Sequence, residues 1–246
     1  MKEITIGKRP VMVPESWEDV THDQYWTYML LLSSVMAGDI HRLEAEKTFF
    51  SFLIGWNGAD WTRMADRDTA DMLRALFLEQ REWWGMDRLP DTECINLLPL
   101  WRGHKGPEDW LGDMTWGSFC ECLDLLSMGM QDDDDSAAEG IARIMYGLPA
   151  EETPDGVLRL HCMALMQSVV AAMSSGPISI NGRDVDLSIV FHPHRGAGDG
   201  TGLAGVTFEV AESGVFGSFR GVKDTGMWDV MLYLYKCRKS KEKEKK

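Results

Sequence analysis

The residues best suited to chemistry lie in one glycine-rich stretch, "HPHRGAGDGTGLAG", at 192–205. His192 and His194 are two positions apart, so on an extended segment both imidazoles would point to one face, as in zinc-binding pairs. A third ligand would have to come from residues that the spacing does not single out: Asp184, Asp199 or His161. The stretch is therefore better explained as a mobile surface loop, and we expect no bound metal.

The same stretch ends in "GTGLAG" at 200–205, which fits the dinucleotide-binding pattern G-x-G-x-x-G. That pattern holds a phosphate only where a hydrophobic strand leads into the first glycine and a helix begins at the last. Here the preceding residues are polar, and the following "VTFEVAES" alternates apolar and polar side chains in the manner of a strand. We therefore expect no nucleotide cofactor.

The sequence carries no other catalytic signature. It has no G-x-S-x-G or H-E-x-x-H motif, and its five cysteines form no C-x-x-C pair, which indicates reduced thiols. Cys120 and Cys122 lie on a predicted helix, where side chains two positions apart diverge by about 200°. His161 lies in a segment that is apolar nearly all round, so we expect a hydrogen-bonded histidine of the core or of an interface. The chain is predicted not to be an enzyme.

Charge and hydropathy restrict the partners and the compartment. The 246 residues carry a formal net charge of -14, which argues against nucleic-acid binding by the body of the protein. The basic end, "KCRKSKEKEKK" at 236–246, is expected to be a solvated, disordered tail, with a docking arm for an acidic partner or nucleic acid as the alternative. Without an apolar run of about 18 residues or a secretory leader, the chain is predicted to be cytoplasmic and to engage no membrane.

The elements that would position these residues follow from turn signals and apolar spacing. Alternating apolar residues around "GKRP" at 7–10 indicate a short β-hairpin. Thr21 and Gln24 form a capping box that opens a first helix. Apolar spacing predicts further helices over 41–56 and 66–84, and the prolines and glycines of 85–113 indicate an irregular connection.

In the second half, Thr115 is a plausible cap for a helix that "QDDDD" interrupts with a solvated loop, and a short helix then ends at Gly147. "DGVLRLHCMALMQSVVAAMSS" predicts a central apolar helix, Asn181-Gly182 predicts a hairpin, and "DTGMWDVMLYLYKCR" predicts an amphipathic helix. The fold class is therefore mainly α. We divide the chain into a helical body with its N-terminal hairpin (1–175) and a small C-terminal α+β region (176–246).

Ten tryptophans and sixteen methionines are many for this length. Core packing explains most of them, but tryptophans at segment ends and adaptable methionines also suit a protein-binding surface. The composition therefore favours an interaction protein. Its candidate partner-binding residues are Trp17, Trp26, Trp116 and Trp228.

Three stretches resemble small accessory proteins encoded in the tail gene clusters of tailed bacteriophages and prophages, particularly those of Bacteroides-type hosts. They are "VMVPESWEDVTHDQYWTYMLLLSSV", then "LGDMTWGSFCECLDLLSMG" with "IARIMYGLP", and the ending "SGVFGSFRGVKDTGMWDVMLYLYKCRKSKEKEKK". The resemblance implies a helical tail assembly chaperone of the host cytoplasm that coats the tape-measure protein and delivers it to the growing tail tube.

Two other functions stay open at this point. The chain could be a structural head–tail or tail-completion component of the virion, with hairpins that pair with neighbours. It could also be a metal-binding enzyme built around His192 and His194. The expected partner is a phage structural protein such as the tape-measure or tail tube protein, and self-association is left open.

Overall fold

The computed structural model describes residues 1–6, 9–56, 60, 67–132, 135–180, 182–191 and 202–244. Within these ranges the protein is mainly α-helical, as the sequence predicts, with ten helices and three two-stranded antiparallel sheets. His192 and His194, together with the rest of 192–201, lie outside the described ranges.

The N-terminal part has the predicted hairpin followed by three helices. Strands β1 (Lys2–Ile6) and β2 (Arg9–Val13) pair antiparallel, and helices α1 (His22–Met36), α2 (Arg42–Leu53) and α3 (Arg67–Trp84) follow. The predicted capping box opens α1: the Gln24 backbone N–H donates to Thr21 Oγ1, and the Thr21 N–H donates to Gln24 Oε1.

The connection between α3 and α4 (Trp116–Asp132) is irregular, as predicted, but it contains a short hairpin that the sequence did not indicate. This hairpin pairs β3 (Leu100–Trp101) with β4 (His104–Lys105). Five non-glycine residues of the connection have a positive φ: Glu93, Cys94, Arg102, Trp110 and Leu111. Such conformations are costly and persist only where surrounding contacts hold them. One such contact is the hydrogen bond from the Trp110 N–H to the Cys94 carbonyl, at 2.7 Å.

The C-terminal part contains the predicted hairpin and more helix than expected. After α5 (Asp135–Tyr146) and α6 (Gly156–Ser175), strands β5 (Pro177–Ile180) and β6 (Arg183–Asp186) pair, which confirms the hairpin predicted from Asn181-Gly182. Four helices follow: α7 (Ser188–Phe191), α8 (Gly202–Glu212), α9 (Phe219–Asp224) and α10 (Met227–Glu244).

Two sequence predictions fail in this part. The segment after Gly205 is helical in α8, because Leu203, Thr207 and Val210 recur at helical spacing and Thr207 and Val210 are buried there. The basic end continues α10 as far as Glu244 instead of starting a disordered tail. Arg238 Nη1 contributes to its order by donating to the carbonyls of Ile189 and Val190, at 2.7 and 2.6 Å.

Helix α6 is the central helix, as predicted, and packs against α1, α5 and α7. Its length and mean hydropathy of 1.4 would suffice to cross a membrane, but 56% of this apolar window is buried inside the protein. Residues of α10, such as Val230 and Met231, belong to the same hydrophobic cluster as α6. The division of the chain at residue 175 stays a prediction.

Candidate partner-binding site

Two of the four candidate tryptophans are core residues. The Trp17 side chain is 2% exposed and meets the rings of Tyr28 and Trp83 edge to face, with centroids 4.8 and 5.1 Å away. Trp116 is 1% exposed, and its Nε1–H donates to Thr207 Oγ1 at 2.9 Å, which ties α4 to α8. In the folded chain these two side chains serve packing and present no exposed surface.

The other two candidates are half-buried. Trp26 stacks on His22, with ring centroids 6.4 Å apart. Trp228 lies beside Trp110, and its Nε1–H donates to the Trp110 carbonyl at 3.1 Å. The structure therefore does not bring the four tryptophans into one exposed patch, and a partner-binding role for Trp26 and Trp228 stays a prediction.

Four of the histidines and cysteines in the described ranges are buried: Cys94, Cys122, His161 and Cys162. These ranges contain no group of three or more His, Cys, Asp or Glu side chains that could hold a metal ion. Burial raises the pKa of the Cys94, Cys120 and Cys122 thiols to about 12, so all three are neutral at pH 7 and poor nucleophiles. None of these three cysteines is therefore an activated nucleophile.

His161 is a hydrogen-bonded histidine of the core, which is one of the two positions that the sequence predicts. Asn96 Nδ2 donates to the Pro107 carbonyl at 2.6 Å, so Asn96 Oδ1 is an acceptor, and it receives the Leu98 N–H and the His161 Nε2–H. His161 Nδ1 is then left to accept from the Tyr25 hydroxyl, at 2.8 Å. Burial lowers the pKa of His161 to about 3, so the imidazole is neutral and fixed in one tautomer.

A second buried cluster, between α1, α2 and α3, is aromatic and poorly hydrogen-bonded. Its rings form a chain of edge-to-face contacts that we call the aromatic cluster: Trp17, Tyr28, Phe49, Phe50, Phe77, Trp83 and Trp84. Four polar atoms of this cluster are buried without a hydrogen-bond partner: Trp17 Nε1, Tyr28 Oη, Trp83 Nε1 and Trp84 Nε1. Gln80 Oε1, one turn before Trp84, is unpaired as well. Each such atom costs free energy of about 1–3 kcal/mol.

The aromatic cluster ends at an open groove between α2 and α3. This α2–α3 groove has a volume of about 540 Å³ and mostly apolar walls, formed by Glu44, Lys47, Thr48, Phe50 and Ser51 of α2 and by Ala70, Leu73, Arg74 and Phe77 of α3. The Phe50 and Phe77 rings meet edge to face with centroids 5.4 Å apart. The two helices thus touch through these aromatic rings while leaving apolar surface exposed beside them.

Sequence reasoning did not find the groove. The α3 pattern predicts a buried stripe, and Leu73, Leu76 and Trp84 are indeed buried. Nothing in the pattern tells how far α3 stands from α2, because helix spacing depends on packing against the rest of the fold. Gln80, a polar residue within the apolar stripe of α3, gives no such signal either, because it does not line the groove.

No protein-family model, curated protein or solved structure matches the chain.

Proposed function

We propose that the chain is a non-enzymatic phage assembly protein of the host cytoplasm, a tail assembly chaperone that binds the tape-measure protein. Its docking site is the α2–α3 groove, which receives the apolar face of a partner helix. The sequence resemblance supplies the biological setting of this proposal, and the groove supplies the site.

The α2–α3 groove is the observation that carries the proposal. A volume of about 540 Å³ lies within the roughly 300–1,000 Å³ of ordinary binding pockets and suits a few apolar side chains. A partner helix would place them at positions i, i+3 or i+4, and i+7. Phe50 is fully buried, but Phe77 and Ala70 are only half-buried, so a bound helix would remove apolar surface from water.

Other exposed apolar side chains also support a binding role. Among the methionines whose side chains the structure describes, five are more than one-third exposed: Met1, Met12, Met36, Met72 and Met128. Methionine side chains are flexible and polarizable, so they adapt to partners of varied shape. Met72 lies on α3, which is one wall of the groove.

Two matched tryptophan substitutions test the site. Ser51 lines the groove and Ser127 lies on α4, and each hydroxyl donates to a carbonyl in the preceding turn of its own helix, at 2.8 Å. After co-expression with a phage tape-measure protein, the wild type and Ser127→Trp should co-purify with that protein. Ser51→Trp should lose most of the complex because the indole fills the groove.

Retention of Ser51→Trp at the wild-type level would contradict the proposed site. Failure of the wild type to bind any tail protein would contradict the function itself. A chaperone should also be missing from purified virions, and its presence there at a fixed stoichiometry would instead indicate a structural component.

A further inference from the structure

The α2–α3 groove carries two cationic side chains without anionic partners. Lys47 of α2 and Arg74 of α3 both line it and both are exposed. Within the described part of the chain, neither has a carboxylate oxygen within 4 Å. A chain with a net charge of -14 thus places two uncompensated positive charges at the border of an apolar groove.

Other cations of the same helices have carboxylate partners. Arg42 and Arg81 both contact Glu46, with N···O distances of 3.9 and 2.8 Å, and Arg67 contacts Asp71 at 3.9 Å. Three of the five cations on α2 and α3 thus have a carboxylate within 4 Å, and the other two are the ones that line the groove. The pairing pattern therefore sets Lys47 and Arg74 apart from their neighbours.

Among the described residues that line the groove, Glu44 is the one carboxylate. It lies in the first turn of α2, where a negative charge interacts favourably with the helix dipole. Its side chain makes no ion pair with Lys47 closer than 4 Å among those that the described residues form. The described residues that line the groove therefore carry two positive charges and one negative charge.

We infer that the partner helix carries acidic residues on both flanks of the apolar face that enters the groove. This inference rests on the proposed function and specifies the chemistry of its ligand. A helix in the groove removes water from around Lys47 and Arg74, which costs free energy unless carboxylates replace that water. Acidic flanks would compensate both cations and would also fix the orientation of the helix.

Two synthetic helical peptides provide the test. They share one apolar face of Leu at i, i+4 and i+7 and differ only in flanking residues, all Glu in one and all Lys in the other. Binding to the full-length protein is measured by fluorescence anisotropy at low and high salt. We expect the Glu-flanked peptide to bind about tenfold more tightly, with a preference that high salt weakens.

Charge-reversed variants then test whether Lys47 and Arg74 cause the preference for the Glu-flanked peptide. Lys47→Glu with Arg74→Glu should invert the preference toward the Lys-flanked peptide. The control, Arg220→Glu with Lys236→Glu on α9 and α10, changes the net charge equally and should keep the wild-type preference. All four side chains are exposed, so we expect the variants to fold.

The outcomes separate the inference from the proposed function. Equal binding of both peptides to the wild type, or an inversion in the control variant as well, would overturn the inference but leave the groove as a docking site. Binding of neither peptide would overturn the groove as a helix site, and the inference with it.

Discussion

Tyr25 and Tyr28 lie one turn apart on α1 and are both fully buried, but their hydroxyl groups meet opposite surroundings. The Tyr25 hydroxyl donates to His161 and belongs to a network in which Asn96 satisfies several groups at once. The Tyr28 hydroxyl has no partner and lies in the aromatic cluster beside the groove. One side of α1 therefore contributes to a hydrogen-bonded network, whereas the other side faces a cluster with unpaired polar groups, which reaches the groove only through Phe50 and Phe77.

This difference indicates where the molecule can accept a partner. A fully bonded buried network rigidifies a core and specifies one arrangement of its elements. A region with unpaired buried groups and a gap between helices gains less free energy from its own packing. We therefore expect changes on the network side to alter stability strongly, and changes on the groove side to alter binding instead.

The largest expected effect is that of Asn96→Ala. This change leaves the Leu98 N–H and the His161 Nε2–H without an acceptor in the core, so it should lower the free energy of unfolding by about 4 kcal/mol. Asp91→Ala is the matched control, because Asp91 Oδ1 accepts a similar bond two residues ahead, from Glu93 N–H, but is exposed. The control should cost less than about 1 kcal/mol in urea denaturation. An equal loss of stability in the two variants would show that the buried network stabilises the fold no more than an exposed hydrogen bond does.

The second largest expected effect is a loss of stability at acidic pH, caused by His161. Its folded pKa of about 3 lies below the ordinary 6.5, so between these values the unfolded chain binds a proton that the folded chain does not. Above pH 6.5 His161 does not lower the free energy of unfolding. Between pH 6.5 and pH 4 its protonation in the unfolded chain should lower that free energy by about 3 kcal/mol.

Urea denaturation at several pH values measures this loss. His161→Gln cannot titrate at this position, so its stability should fall less over the same range, whatever its value at pH 7. An equal fall in both proteins would assign the acid sensitivity to other groups.

The smallest stability effects should come from the tyrosine pair that defines the contrast. Tyr25→Phe removes the donor to His161 Nδ1 and should destabilise the fold by about 1.5 kcal/mol. Tyr28→Phe removes an unpaired hydroxyl and should leave stability within about 0.5 kcal/mol of wild type, or raise it. Similar losses in the two variants would mean that Tyr28 has a bonding partner after all.

Short-range sequence signals predicted helices and strands well where a capping or turn motif agrees with the apolar spacing. The Thr21–Gln24 capping box and the Asn181-Gly182 turn signal each act within a few residues, and the capping box and the pairing of β5 with β6 are both confirmed. The segment "VTFEVAES" was misread as a strand because its apolar residues fit a period of two and a helical period equally over so short a length.

Burial of individual tryptophans and the presence of the groove could not be predicted, because both depend on how distant elements pack together. Trp17 and Trp116 are distinguished from the half-buried Trp26 and Trp228 only by the elements that pack over them. The groove likewise depends on the separation of α2 from α3, which no periodicity encodes. The buried state of His161 could be predicted because its whole helix is apolar.

Site-specific photo-crosslinking tests the central claim, that the α2–α3 groove is the partner site, most directly. A benzophenone amino acid is placed at Ala70, which lines the groove, or at the exposed Ser127 of α4, and the protein is co-expressed with the tape-measure protein. Ala70 should give an adduct that maps to an apolar helical segment of that protein, and Ser127 should give none. An adduct from Ser127 alone, or no adduct from Ala70 in a complex that still forms, would contradict the claim.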